Sequence, residues 1–324
     1  MTRLLVINGD DFGLTRGVNA GMLDAHRDGV LTSVSLFANA PATEDAITIA
    51  HATPSLGVGC HLTLVDGTPT LPASEVPSLV TADGQFRQTW GAFIRACLLR
   101  RVSLDEVRRE LTAQITRLQT AGVALTHLDS HKHVHTWPPI FRIVAELATQ
   151  FRVPAVRVPY ESPWIGPVPA HFREPTIRRQ ALENLAMRYW TRIDARVLAA
   201  HSRSAPAFFG RVHTGRVVDA EILANIVEGL PEGVSELMMH PGYADDALSR
   251  VRTRLRRQRE QEVALLRSVD ARRVIRDAHV TLVRHDLQPV GPLIGHRFIS
   301  DAAPIRDAVS FRESADLSER RVIH

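Results

Sequence analysis

The sequence predicts an α/β protein, an irregular (β/α) barrel of about seven parallel strands in a single domain, with a doubly wound open sheet as the alternative. Short apolar runs alternate with longer amphipathic stretches. Polar and acidic residues gather just after the apolar runs, where α/β folds bind ligands. No G-x-G-x-x-G follows the first run, which disfavours a dinucleotide-binding sheet. The chain has 324 residues, 44% of them hydrophobic, enough for one large core.

The expected strands are Leu4 to Asn8, Ser33 to Ala38, Gly57 to Leu64, Ala124 to Asp129, Ala155 to Val158, Ser235 to Met239 and Val280 to Arg284. Helical patterns cover Gly17 to Asp28, Thr43 to His51, Ser103 to Gly122, Pro139 to Gln150, Thr176 to Ala200, Asp219 to Glu228 and Ser249 to Ser268. The clearest opens with a capping box, Ser103 and Glu106, carries Leu104, Val107, Leu111, Ile115 and Leu118 as its stripe, and stops at Gly122. The Pro/Gly-rich loops Val65 to Arg87 and Glu161 to Pro175 are long, which makes them expected substrate loops. Residues 1–287 form the expected barrel domain, and 288–324 an appended tail, partly disordered or packed on the barrel.

Composition excludes several classes. Net charge is only +4, and no basic patch interleaved with aromatics suggests nucleic-acid binding. Two cysteines without a CxxC argue against a disulfide scaffold and for a reducing compartment. "MTRLLVINGDD" lacks the layout of a leader, and no run of about 18 apolar residues occurs, so the expectation is a soluble cytoplasmic protein. The arginine-rich "SRVRTRLRRQRE" (Ser249 to Glu260) reads first as a solvated helix face, and second as a surface for anionic membrane.

The chemistry concentrates at the strand ends. Asp10 and Asp11 adjoin after the first strand, and His61 interrupts an apolar run in "GVGCHLTL". In "THLDSHKHVHTWP", His127, Asp129, His131, His133 and His135 fall on odd positions and would share one face if extended. Four histidines and an aspartate within nine residues favour a metal site or an acid–base cluster over isolated structural roles. A divalent cation would also explain the paired carboxylates: one holds the ion, and the other is placed to act as a base.

Together, "NGDDFG", "CHLTL", "HLDSHKHVH" and "MMHPGY" resemble the YdjC-like carbohydrate deacetylase family, over about Arg3 to Leu287. The segments "TLPASEVPSLVTADGQFR", "FFGRVHTGRV" and "LPEGVSELMMHPGY" are more similar to its hopanoid-biosynthesis-associated branch than to the chitooligosaccharide deacetylases. The resemblance implies an irregular (β/α) barrel with a metal held by Asp11, His61 and His131. It implies Asp10 as general base and His240 as general acid, a role suited to a histidine of near-neutral pKa. Asp129 and Arg157 would orient ligands or the base, and His133 and His135 would line the pocket or hydrogen-bond around the site. Zinc fits the donors best, with magnesium, manganese, cobalt or nickel as alternatives.

The expected reaction is hydrolysis of the acetamide of an N-acetylated amino sugar, an N-acetylglucosaminyl glycoside or hopanoid-linked glycolipid, giving acetate and a free amine. Alternatives are an N-acetylated chitooligosaccharide substrate, another metal-dependent amide hydrolase, a glycoside hydrolase using separated carboxylates, or a non-catalytic sugar-binding barrel. The resemblance also implies a homodimer, and a glycolipid substrate would bring peripheral membrane contact.

Overall fold

A computed structural model describes residues 2–161, 175–201 and 205–290. Eight strands run parallel: β1 (Arg3–Phe12), β2 (Ser33–Leu36), β3 (Gly57–Leu62), β4 (Leu125–Ser130), β5 (Ala155–Val156), β6 (Ala207–Phe209), β7 (Gly233–Met239) and β8 (Val280–Leu282). Between them lie α1 (Arg16–Arg27), α2 (Thr43–Ala52), α3 (Trp90–Leu98), α4 (Leu104–Thr120), α5 (Pro138–Gln150), α6 (Pro175–Ala200), α7 (Ala220–Glu228), α8 (Asp246–Arg250), α9 (Arg257–Arg267) and α10 (Val269–Asp277). All seven expected strands are present. The short β6 was not anticipated, because three residues display no period.

The sheet order is β5-β4-β3-β2-β1-β7-β6. β7 covers one edge of β1 from Arg3 to Gly9, so β8, at Arg3 to Leu5, and β2, from Asn8 onward, share the other. A flat sheet would hold β5 and β7 about 24 Å apart, at roughly 4.8 Å per strand. Yet Arg157, immediately after β5, lies 2.6 Å from Glu236 of β7. The sheet is therefore curled into an open barrel, with the inward side chains of distant strands in contact.

Local signals place the helices. Thr15 caps α1 and Ser103 caps α4, each accepting the backbone N–H three residues on. The expected capping box is only half made. Glu106 accepts from the N–H of Ser78 instead, and so anchors the 65–87 loop to α4. Gly122 stops α4 with φ +81°.

Helices α3 and α10 were not among the expected ones, and two further regions depart from expectation. The stretch Ser249 to Ser268 is not one helix: α8 ends at Arg250, residues 251–256 form a loop, and α9 starts at Arg257. The histidine run is not extended either. After Ser130 the chain turns into a 3-10 segment, His131–Thr136, with Lys132 (φ 52°) and His133 (φ 54°) left-handed. Residues 162–174 of the second expected substrate loop, and the tail beyond Val290, lie outside the described residues.

β-Strand packing imposes one sharp constraint. A Cβ at Gly59 would lie 2.3 Å from the ring of buried His127 on the neighbouring strand. Gly59→Ala is expected to destabilise the protein by about 1–3 kcal/mol, read in urea unfolding as a lower midpoint at unchanged slope.

Candidate active site

The two adjacent aspartates of β1 face the same cavity because the strand is irregular there. Its register against β2 shifts between Gly9 and Phe12, and Asp11 adopts φ +76°. On a regular strand the pair would point to opposite faces. An aspartate tolerates the left-handed region better than most residues, and both side chains are buried.

Asp11 divides its two oxygens. Oδ1 lies 3.3 Å from His131 Nδ1 and 3.7 Å from His61 Nε2. Oδ2 accepts from the guanidinium of Arg259. Burial alone would raise the Asp11 carboxyl, but Arg259 and then His131 hold it well below the usual carboxylate range. Phe37 packs edge-on against both imidazoles. His61 is oriented from behind, since its Nδ1 meets Asp129 Oδ1 at 2.8 Å. Burial would lower His61, but Asp129, by charge and hydrogen bond, raises it.

Behind this layer lies a buried polar network centred on Arg157. Its guanidinium donates to both oxygens of Asp10, each at 2.7 Å. It also meets Asp129 Oδ2 at 2.6 Å and Glu236 Oε1 at 2.6 Å. Asn8 donates to Asp10 and to Ser35 Oγ, and Ser35 donates to Asp129. Below them the ring of His127 stacks on His285 with centroids 3.6 Å apart. Burial would raise Glu236, but Arg157 and then His285 hold it down at about 2.

The other expected residues separate. His135 faces away from the cavity, with Nδ1 on Ser130 Oγ and Nε2 on the Arg157 carbonyl, so it pins the turn after β4. His133 lines the cavity, and its Nδ1 has no partner among the described residues. His240 also lines the cavity, with its Nδ1 unpartnered among the described residues and its backbone N–H donated to Glu262. Burial pushes His240 down to about 4. The near-neutral value expected from its residue type is therefore corrected: in the free protein the imidazole is uncharged at pH 7.

Arg259 corrects the reading of the arginine-rich stretch as a solvated face. It is 1% exposed and reaches Asp11, and its second terminal nitrogen lies 3.4 Å from the His240 carbonyl. No local signal separated it from its exposed neighbours. Ser35, Phe37, Glu236 and His285 carry little more local signal. A buried Glu236 within the apolar run "SELMM" was the one visible hint.

The donors fit a divalent cation. Asp11, His61 and His131 each offer an atom, all within 4.8 Å of one another. Asp10, His61 and Asp129 are equally close, but Arg157 occupies both of those carboxylates. Four buried carboxylates, Asp10, Asp11, Asp129 and Glu236, face two buried guanidiniums, Arg157 and Arg259. A dication at the first set would offset the excess of two negative charges. The cavity above it measures about 1680 Å³ and is walled by Leu14, Phe37, Trp90, Trp190 and Met238, among others.

A curled parallel sheet with an Asp–His–His set and a clamped carboxylate at its strand ends defines the class. The YdjC-like protein family matches residues 4–277, and the chain belongs to that family. A carbohydrate deacetylase from Brevibacillus brevis is 35% identical over 280 residues, covering 86% of this chain and 97% of that one. A chitooligosaccharide deacetylase from Proteus mirabilis is 41% identical over 155 residues, 48% of this chain and 58% of that one. A crystal structure from Enterococcus faecalis V583, provisionally described as a cellobiose-phosphate cleavage protein, superposes with a TM-score of 0.70. It is 25% identical and covers 88% of this chain and 98% of that one.

Glu262 supplies a pH test. Burial raises it to about 8 from an ordinary 4.5. A raised folded-state value means stability that is complete below 4.5 and lost as pH rises through about 8. Glu262→Gln is expected to flatten that decline, measured by urea unfolding across the same range.

Proposed function

We propose that this chain is a metal-dependent N-deacetylase that hydrolyses the acetamide of an N-acetylated amino sugar, releasing acetate and the free amine. The observation that carries the reading is the division of labour between adjacent carboxylates. Asp11 faces two imidazoles, while Asp10 faces the cavity with both oxygens gripped by Arg157. A pure binding site needs no such second carboxylate. The deacetylase names of the relatives support the same reading.

Asp11, His61 and His131 would hold the ion, and zinc suits a carboxylate–imidazole set best. When bound, the ion would supply Lewis acidity toward water and the acetamide carbonyl. Asp10 takes the proton from the attacking water. A carboxylate offers about four acceptor positions; Arg157 and Asn8 use three, and one remains toward the cavity. Arg157 also fixes the orientation of Asp10. His240 protonates the departing nitrogen. Its imidazole starts uncharged, and the proton it passes on is the one Asp10 has taken from the water, so the transfer returns both groups to their starting state.

A glycolipid substrate, such as an N-acetylglucosaminyl hopanoid, fits the cavity. Pockets for drug-sized ligands usually measure about 300–1,000 Å³, and this one is larger, with Leu14, Phe37, Trp90, Trp190 and Met238 giving it apolar wall beside its polar and charged residues. No helix among the described residues is long and apolar enough to cross a membrane, and we place the protein in the cytoplasm. A glycoside hydrolase would need two free carboxylates flanking the scissile bond. Here Asp10, Asp129 and Glu236 are bound to one arginine.

Acetate release from N-acetylglucosaminyl glycosides, chitooligosaccharides and a lipid-linked glycoside, with metal-loaded and chelator-stripped protein, tests the reading. Metal-dependent release is expected, and its absence from every substrate with metal bound would overturn it. Asp10→Asn should keep its metal, by elemental analysis, and lose about 100-fold or more in turnover. His131→Ala should lose metal, and wild-type metal content would remove it from the ligand set.

A further inference from the structure

The segment 250–257 is an arginine comb. Arg250, Arg252, Arg254, Arg256 and Arg257 are exposed, whereas Val251, Thr253 and Leu255 between them are partly tucked in. The first four line the same cavity as Asp10 and Asp11, and being both exposed and lining, they form its mouth. Arg252 donates to Gln88, and Arg256 to the carbonyls of Leu248, Ser249 and Val251. Neither those two nor Arg250 or Arg254 meets a carboxylate among the described residues. A cluster of one sign without counter-charge, at the mouth of a cleft, concentrates anions there.

A second observation concerns α6, which walls the same cavity through Gln180, Glu183 and Trp190. Its solvent side carries Leu182, Leu185 and Tyr189 at three- and four-residue spacing, exposed by 56%, 45% and 72%. Arg178, Arg188, Arg192 and Arg196 on the same helix are also exposed. Apolar side chains and arginines thus share that exposed surface.

We propose that the cavity mouth docks on an anionic lipid bilayer, through the 250–257 comb and the exposed apolar face of α6. Phosphate headgroups would meet the arginines, while Leu182, Leu185 and Tyr189 enter the interfacial region. The inference extends the glycolipid reading by giving the buried site direct access to a membrane-held substrate. It does not depend on turnover.

Full-length protein is co-sedimented with vesicles of phosphatidylcholine plus phosphatidylglycerol, and with phosphatidylcholine alone. Binding to the anionic vesicles is expected, weakening as salt rises. A juxtamembrane arginine contributes roughly five-fold in affinity. The combined R250Q/R252Q/R254Q variant should therefore bind about 100-fold more weakly, and Leu185→Gln with Tyr189→Ser should weaken binding independently. Equal binding to neutral vesicles, or wild-type binding by the triple variant, would overturn the proposal. So would absence of vesicle binding at low salt together with arginine-dependent binding of glucosamine 6-phosphate, which would assign the comb to a soluble phosphate. Vesicle binding without acetate release from any substrate would instead overturn the deacetylase reading and leave this one standing.

Discussion

The guanidinium of Arg157 holds the interior together. It is wholly buried and ion-paired with Asp10 on β1, Asp129 on β4 and Glu236 on β7. Each carboxylate alone would be costly to remove from water. Gathered on one arginine they are tolerable, and only a curled sheet can bring strands so far apart in order to one point. The pairing thus works at two levels, closing the barrel and orienting the polar groups at its mouth. Its worth is less in net stability than in permitting a single arrangement, since a buried ion pair often gains little over an apolar core.

The two adjacent aspartates illustrate how a small backbone irregularity creates a division of roles. The bulge and the left-handed Asp11 turn both side chains inward. Arg157 then takes Asp10, and Arg259 takes one oxygen of Asp11. What remains is a single Asp11 oxygen facing His61 and His131. Arg259 also reaches the His240 carbonyl, so α9 fixes both the Asp11 side and the far wall of the site. The excess of buried negative charge that a dication would offset follows from this incomplete neutralisation.

Much of the fold was legible. Strands and helices follow hydrophobic period and capping, which are local properties, and seven strands and most helices fall where those patterns lie. β6 is too short to have a period. The arginine-rich segment misled because solvated and buried arginines look alike in one dimension; only the approach of α9 to β1 distinguishes Arg259 from Arg257. The histidine run misled because an alternating pattern presumes an extended chain. Two left-handed residues break it, sending His131 to Asp11, His133 to the cavity and His135 to a backbone carbonyl.

By itself, the sequence determined the α/β class, the clustering of polar residues at strand ends and the residue types a metal-dependent hydrolase needs. These depend on period, spacing and donor chemistry, all written along the chain. Tertiary structure decided which carboxylate meets which arginine, which histidines share an oxygen of Asp11, and where the unpaired arginines emerge. Those outcomes depend on contacts between residues more than a hundred positions apart, such as Asp10 with Arg157 and Asp11 with Arg259. Such pairings are set by the curl of the sheet, which no local pattern specifies.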